Sequence, residues 1–198
     1  MATTRCAMGR THETLVRIWA IPLICLLLFA SQAAFGLDRK LDIAVQQVGD
    51  TFIVDAAIEV PVPVDLAWDV LTDFDHMTSI LGNLTASKVL SRNGNLWRVR
   101  QEGVAKYGPF SYSFESVREI RLEPKTRIVS KSLSGTLAQT SSLAEIVPVN
   151  QGVQLKYHVE MQTGSMLARM FGLPFVRHEV EEQLQRMVKE MTARFAIG

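Results

Sequence analysis

The 198-residue sequence predicts an α+β fold, in which a curved antiparallel sheet of about six or seven strands surrounds a long C-terminal helix. Two short helices are expected after the first strand. The clearest observation is the segment Leu173 to Phe195, whose apolar residues recur at steps of three and four and form one stripe on a helix. Upstream, several segments alternate apolar and polar residues between turn signals, as strands do. Such alternation is typical of antiparallel sheets covered on one side, so the last helix is expected to cover the sheet.

The first strand and the short helices are predicted from one continuous stretch. Thr51 to Val60 alternates apolar and polar residues cleanly, which indicates a half-buried strand. Pro61 and Pro63 end this strand. Val64 to Leu71 then predicts a short helix that buries three apolar side chains, and a second helical turn is expected from Asp75 to Leu81.

The remaining strands lie between clear turn signals. Arg92-Asn93-Gly94-Asn95 and Asn150-Gln151-Gly152 are both typical of tight turns between antiparallel strands. The strands predicted on this basis are Lys88 to Ser91, Leu96 to Gln101, Phe110 to Leu122, Arg127 to Leu133, Ser141 to Val147 and Val153 to Met161.

The closing helix is long enough to cross a small sheet. A helix of roughly 23 residues measures about 34 Å at 1.5 Å per residue. Its polar side carries His178, Glu182, Gln185 and Lys189. The expected apolar stripe consists of Val176, Val180, Leu184, Met187, Val188, Met191 and Phe195.

Residues 1–36 have the three parts of an export signal: a basic start, an apolar run from Ile18 to Ala30 and small residues up to Gly36. The run of 13 residues is shorter than the roughly 20 that a membrane-spanning helix needs. We therefore expect a cleaved signal peptide over 1–36, a periplasmic or secreted product, and one domain over 37–198. An uncleaved membrane anchor is the alternative.

Composition then excludes several classes of function for the mature chain. Both cysteines, Cys6 and Cys25, lie in the leader, so disulfides, thiolate catalysis and cysteine-ligated metals are not expected. Without the three arginines and one glutamate of the leader, 18 basic and 19 acidic residues remain, a net charge of −1. These charges are interspersed, so no nucleic-acid partner is expected.

The histidines suggest chemistry only weakly. His178 begins a zinc-protease-like pattern, but Glu182 stands where the second histidine belongs, so a solvated pair is the preferred interpretation. His76 beside two aspartates is compatible with a general base or, preferably, with helix capping. His158 alternates outward with Lys156 and Glu160, which favours surface pairing.

Serines offer no better catalytic set. Ser130, Ser132 and Ser134 share one strand face, but the sequence places no histidine to activate them. Serines in this arrangement more often line a cavity or bond to the backbone. We therefore predict no catalytic residue, no metal ligand and no cofactor, and whether the protein is an enzyme stays open.

Several segments in a fixed order resemble a known family. They are the strand, proline-started helix and Asp-aromatic pair from Ile58 to Phe74, then Ser87-Lys88-Val89-Leu90, then Leu155-Lys156-Tyr157, and finally Glu182 to Met187. Together they resemble the START-like superfamily, which includes polyketide cyclases/dehydrases, coenzyme Q-binding proteins and birch-pollen-type allergens. The resemblance runs from about Thr51 to Phe195. It implies a helix-grip fold, with a cavity between sheet and helix that holds an apolar ligand.

The apolar inventory supplies candidate ligand contacts. Met166 to Phe175 is rich in Met and Phe where a loop should be polar, and flexible Met side chains adapt to varied partners. We hypothesise that this segment forms a lid that touches a membrane transiently when open. The candidate cavity and lid residues are Trp68, Phe74, Met77, Leu81, Trp97, Phe110, Tyr112, Phe114, Ser132, Tyr157, Met170, Phe171, Phe175, Val180 and Leu184.

Three functions are compatible with these features. The preferred one is binding or transport of a lipid, quinone or similar hydrophobic molecule, with Tyr112 or Ser132 fixing its orientation. The second is a cyclase or dehydrase that uses the same cavity and moves a proton through His76 or an inward polar residue. The third is a filled domain that only contacts another protein. An inner void of roughly 300 Å³ or more distinguishes the first two from the third.

Overall fold

A single antiparallel sheet of eight strands carries the fold, and a long C-terminal helix packs on it. A computed structural model describes residues 41–136, 139–162 and 165–198, without the side chains of residues 110 and 165–171. The predicted signal peptide over 1–36 lies outside the described residues. The strands are β1 (Asp42–Val48), β2 (Thr51–Val60), β3 (Leu84–Asn93), β4 (Leu96–Tyr107), β5 (Phe110–Glu123), β6 (Arg127–Gly135), β7 (Gln139–Val149) and β8 (Gly152–Gln162).

The strand order in the sheet is β1-β2-β8-β7-β6-β5-β4-β3, so the chain leaves β2 and restarts at the far edge with β3. Two helices and a turn make that crossing: α1 (Val64–Thr72), a 3-10 turn (Phe74–His76) and α2 (Met77–Ile80). From β3 to β8 every strand pairs with the next through a hairpin. This arrangement confirms the predicted helix-grip fold.

The edge strand β1 was not predicted. It pairs with β2 along its whole length, from Asp42 opposite Ala57 to Val48 opposite Thr51. Of its seven residues only Ile43 is buried. A strand at the edge of a sheet that buries one side chain has little alternation to reveal it.

The last helix, α3, spans Ser165–Ile197 and bends at Gly172, whose φ of 63° and ψ of −173° are not helical. Pro174 follows two residues later and removes a backbone donor from the next turn. The predicted start at Leu173 therefore matches the second, longer part of the helix. The expectation of a loop before it is wrong, because residues 165–171 are helical. Among the described helices, none is both long and apolar enough to cross a membrane.

The stripe predicted on α3 faces the sheet for most of its length. Val176, Val188 and Met191 are buried, and Met191 has no exposed surface. Val180, Leu184 and Met187 are partly buried. Phe195 is 52% exposed, so the stripe ends before the last turn.

Buried apolar side chains form two separate clusters. The larger one lies under α1 and α2 and includes Val70, Val99, Ile120 and Met191. The smaller one lies beside β1 and β2 and includes Phe52, Val54, Val159 and Val176. A packed protein interior normally forms one continuous core. The separation of the two clusters marks the place where the interior is not filled.

Candidate functional site

A cavity of about 290 Å³ lies between the inner face of the sheet and α3. Its walls include residues of both apolar clusters, such as Ile120 from the larger and Val54 from the smaller. Ligand pockets usually measure roughly 300 to 1,000 Å³, so this cavity lies at the lower edge of that range. An engineered apolar cavity of about 150 Å³ already takes up benzene. The volume is therefore sufficient for a small ligand.

The cavity wall contains eight of the side chains that the sequence singled out as ligand contacts. Alternation along β5 and β8 turns their residues inward, the short helices supply residues at one end, and α3 supplies the opposing wall. Whether these side chains touch a ligand stays a prediction. The eight residues are Phe74, Met77, Leu81, Phe114, Ser132, Tyr157, Val180 and Leu184.

The other candidates lie elsewhere or outside the described side chains. Trp68 and Trp97 pack against the larger apolar cluster, and Trp97 meets Phe74 edge to face at 6.0 Å between ring centroids. Phe175 packs against the smaller cluster and contacts the Tyr107 ring at 5.9 Å. Tyr112 lies partly buried on β5 and is not part of the cavity wall. The side chains of Phe110, Met170 and Phe171 are outside the description, and so is the lid hypothesis that depends on them.

Polar side chains cross the middle of the concave face as one continuous row, which we call the polar band. Register places its members on neighbouring strands: Ser87 lies opposite Gln101, Gln101 opposite Ser116, and Arg118 opposite Ser132. Ser130 lies opposite Ser142 in the same way. The polar band consists of Ser87, Gln101, Ser116, Arg118, Ser130, Ser132, Ser142 and Tyr157, and all but Ser87 line the cavity.

A chain of hydrogen bonds fixes one half of this band. The Arg118 guanidinium donates from Nη2 to Oε1 of Gln101. The Gln101 amide donates to Ser87 Oγ at 3.1 Å, and the Ser87 hydroxyl donates to the Phe74 carbonyl at 2.6 Å. All three hydrogen bonds therefore run in the same direction, from Arg118 toward the Phe74 carbonyl. The groups that hold Arg118 in place are neutral.

Two polar atoms at the centre of the band have no partner among the described residues. They are Nε of Arg118 and Oγ of Ser132, and both are inaccessible to solvent. Burial lowers the pKa of the Arg118 guanidinium below its ordinary value, while Tyr157 acts in the opposite direction. Guanidinium nevertheless stays protonated in proteins, so the cavity contains a fixed positive charge.

Tyr157 completes the band on β8. Burial raises the pKa of its phenol above the ordinary value, although Arg118 and a hydrogen bond with Ser142 act against the shift. The phenol is therefore neutral at pH 7 and is available as a hydrogen-bond donor rather than as a base.

The β4–β5 hairpin closes on α3 near one end of the cavity. The Tyr107 ring contacts the ring of His178 at 5.6 Å between centroids. Below it, the Asn83 amide donates to Oε2 of Glu179 at 3.1 Å. Burial raises the pKa of Glu179, and the hydrogen bond from Asn83 opposes this rise. These contacts join the rim of the sheet to the helix.

Gly103 on β4 makes room for this part of the wall. A Cβ atom there would lie 2.3 Å from the Asn83 carbonyl oxygen and 2.6 Å from Cζ of Phe114. Both distances are far below any normal contact, so only glycine allows the Phe114 ring to lie across the strand at this point.

The three histidines that the sequence raised as candidates lie away from the cavity wall. His76 is 75% exposed and pairs with Asp73 at 2.6 Å, and neither residue makes a side-chain cap. Asp73 also accepts from Arg194 at 3.0 Å, so it joins α1 to α3. This corrects the preferred capping role and gives the loop a tethering function instead.

The predicted surface pairs are confirmed. His178 lies 3.8 Å from Glu182 on the exposed side of α3. His158 pairs with Asp55 at 2.7 Å and with Glu160 at 3.5 Å on the outer face of the sheet. No group of three potential metal ligands occurs among the residues that the structure describes.

Arg118, the most distinctive residue of the cavity, was not among the residues predicted from the sequence. Its signal was present in the alternation of β5, because Phe114, Ser116 and Ile120 lie on the same inward face. A charged residue in register with a dry face is unusual and points to a buried partner or a ligand. Ser130 and Ser132 did fall on the cavity wall as the serine pattern suggested, whereas Ser134 is exposed.

Comparisons with known proteins agree with this architecture. A family model described as polyketide cyclase / dehydrase and lipid transport matches residues 60–188. No curated protein sequence matches the chain.

Solved structures give the same fold at low identity. The Zhui aromatase/cyclase from Streptomyces sp. R1128 is 16% identical, with a TM-score of 0.64 over 73% of this chain and 96% of its own. A START superfamily protein from Mycobacterium smegmatis is 14% identical, with a TM-score of 0.56 over 72% of this chain and 95% of its own. A STAR-related lipid transfer protein from Xanthomonas axonopodis is 12% identical, with a TM-score of 0.54 over 77% and 98%.

These neighbours include both a cyclase and a lipid-transfer protein, and at such identities they establish the fold alone. The family model covers well over half of the sequence and, apart from Val54, every residue of the cavity wall, from the end of β2 into α3. The chain therefore belongs to the polyketide cyclase/dehydrase and lipid transport family, and its fold is START-like.

Proposed function

We propose that this protein binds a hydrophobic small molecule, such as a lipid or a quinone, in the cavity between the sheet and α3, and carries it. The observation that supports this most is the 290 Å³ cavity itself, which separates the two apolar clusters. Burial of apolar ligand surface would supply the binding free energy at roughly 25 cal/mol per Å². The expected signal peptide over 1–36 extends the proposal to carriage in the periplasm or outside the cell.

Binding is favoured over a cyclase or dehydrase reaction by the chemistry of the wall. Such a reaction needs a group that accepts a proton, and the described residues of the cavity wall include no histidine. The acidic residue on that wall is Glu145, whose carboxylate pairs with Arg127 at 3.0 Å. Tyr157 and Arg118 offer protons rather than accept them.

A cavity-filling substitution tests the proposal. Ala144 is a small, partly buried residue of the cavity wall on β7, so Ala144→Phe places a ring in the empty space. We expect the variant to lose uptake of a fluorescent fatty-acid probe while its far-UV circular dichroism is unchanged. Ala44→Phe on the exposed side of β1 is the matched control and should bind normally.

Extraction of the purified protein adds a second readout. Organic solvent should release one lipid-like species at near one molecule per chain, which mass spectrometry identifies. An empty extract together with equal probe uptake by the wild type and Ala144→Phe would rule out the cavity as the binding site.

A further inference from the structure

We propose that the ligand is an amphiphile with a carboxylate head group and that Arg118 binds this head group inside the cavity. This inference depends on the proposed function, because it requires that the cavity is occupied. It adds the chemical class of the ligand and its orientation.

The charge of Arg118 is not balanced by an acidic side chain among the described residues. Arg118 is partly buried and lines the cavity, and its Nε atom is inaccessible to solvent. No carboxylate among the described residues lies within ion-pair distance of it, whereas surface arginines such as Arg127 and Arg194 have acidic partners at 2.8 to 3.0 Å. A partly buried cation with neutral partners is costly, and a bound anion would remove that cost.

Arg118 and Ser132 have hydrogen-bond donors without a partner among the described residues. Arg118 Nε has no partner, and the orphaned Ser132 hydroxyl comes from the residue directly opposite on β6. Side chains in such cross-strand positions are close neighbours. A planar guanidinium edge matches the two oxygens of a carboxylate, and the Ser132 hydroxyl supplies a further hydrogen bond to the same group.

Apolar wall flanks the polar band on both sides. Ile120, Ile128 and Leu155 lie on one side, and Phe114, Val159, Met161 and Val180 lie beside Thr140 on the other, toward the β4–β5 hairpin. An acyl chain would lie against one of these apolar surfaces, with its head group at the band. A volume of about 290 Å³ suits a chain of medium length rather than a two-chain lipid.

Calorimetric titration of the full-length chain with decanoate and with 1-decanol, which has the same tail without the charge, tests the inference. We expect the wild type to prefer decanoate. Arg118→Gln should weaken decanoate binding about 10- to 100-fold, in the range of a hydrogen bond to a charged group, and change decanol binding little. Arg121→Gln, on the exposed face of the same strand, is the control and should change neither.

A second measurement detects the contact itself. Bound decanoate labelled with ¹³C at its carboxyl carbon should titrate at lower pH than free decanoate, because a neighbouring cation favours the charged form. Arg118→Lys keeps the positive charge and should retain a weakened preference for decanoate. It keeps the test valid if Arg118→Gln does not fold.

The outcomes separate the two proposals. Equal affinity of the wild type for decanoate and decanol, unchanged by Arg118→Gln, would overturn the carboxylate inference and leave cavity binding intact. Equal weakening of both ligands by Arg118→Gln would also overturn it, because Arg118 would then only maintain the wall. Failure of both ligands to bind the wild type would count against the proposed function itself.

Discussion

At the scale of single residues, Arg118 serves binding at the expense of folding. The guanidinium donates to Gln101 but has no acidic partner among the described residues, and burial lowers its pKa. If position 118 served packing alone, we would expect an apolar side chain there, between Ser116 and Ile120 on the inward face. The cost of this cation is therefore best explained by a ligand, and it can be measured in the empty protein.

Arg118→Met should raise the free energy of unfolding of the ligand-free protein by about 1 kcal/mol, because an unpaired buried charge is replaced by an apolar side chain of similar length. Urea unfolding monitored by circular dichroism measures the change. A loss of stability would show that Arg118 mainly supports the structure of the wall. Arg121→Met on the outer face is the control, because it measures the effect of replacing an exposed arginine by methionine on the same strand.

His158 gives the surface a pH-dependent contribution. A hydrogen bond with Asp55 raises its pKa above 6.5, burial opposes this rise, and Glu160 adds to it. Because the pKa is raised in the folded state, protonated His158 stabilises the fold. This stabilisation is fully present below the unfolded pKa and disappears as pH rises through the folded pKa. His158→Gln should therefore lower stability relative to the wild type near pH 5 and have less effect near pH 9.

The measurement is urea unfolding of the wild type and His158→Gln across that pH range. Asp55→Asn removes the main partner of His158. When it is introduced into both proteins, the stability difference between them should depend less on pH. A difference that is the same at both ends of the range would contradict the assignment of the effect to the imidazole.

At this scale the sequence was informative about apolar residues and less so about charged ones. The residues Phe114 and Leu184 follow from periodicity, since each belongs to the dry side of its element. Arg118 was not recognised because alternation identifies a face by its majority, and one charged residue does not change that majority. The partners of Asp73 are distant in sequence, so local spacing suggested a cap where the structure has a tether to α3.

At the scale of elements, the bend in α3 determines where the helix begins to cover the cavity. Val176 is the first buried residue after the bend and contributes to the cavity wall. The bend occurs at Gly172, whose backbone conformation is one that residues with a Cβ rarely adopt. The start of the long segment, predicted at Leu173 from apolar periodicity, falls directly after this bend.

Gly172→Ala should destabilise the protein by about 1 to 3 kcal/mol through backbone strain alone. A Cβ atom there would lie 3.7 Å from Cδ of Pro174, an ordinary contact, and no described side chain would clash with it. Chemical denaturation measures the loss. Gly172→Asn should lose about as much, because asparagine is tolerated in the left-handed helical region, whereas a φ of 63° with a ψ of −173° is essentially restricted to glycine. Equal stability of Gly172→Ala and the wild type would mean that the bend is not required.

Two elements show why local patterns are insufficient. The edge strand β1 buries only Ile43, so its existence depends on pairing with β2 rather than on its own alternation. Residues 165–171 are helical although the sequence suggested a loop before Leu173. A loop was expected there because segments that connect a strand to a helix are usually polar loops. Tertiary context overrides this expectation.

At the scale of the whole molecule, the interior combines a solid core with a cavity. The larger cluster under α1 and α2 packs tightly, with Ala67 and Val70 entirely buried, and gives stability without a ligand. The cavity and its polar band occupy the space between this core and the smaller cluster. The fold class was accessible from the sequence because periodicity and the order of elements determine it, whereas the cavity depends on how far apart the sheet and helix stand.

Ligand binding should therefore stabilise the molecule in proportion to occupancy. A ligand that binds only the folded state adds about 2.7 kcal/mol at 100 times its Kd. Decanoate should raise the melting temperature of the wild type and raise that of Ala144→Phe much less, as measured by differential scanning calorimetry. Equal shifts in both proteins would indicate binding outside the cavity.

The most direct test of the central claim is a crystal structure of the protein with decanoate. We predict continuous density for the acyl chain between the inner face of the sheet and α3, with the carboxylate within hydrogen-bond distance of Arg118 Nε and Ser132 Oγ. A structure in which side chains fill this space, or in which decanoate binds only on the outer surface, would contradict the account.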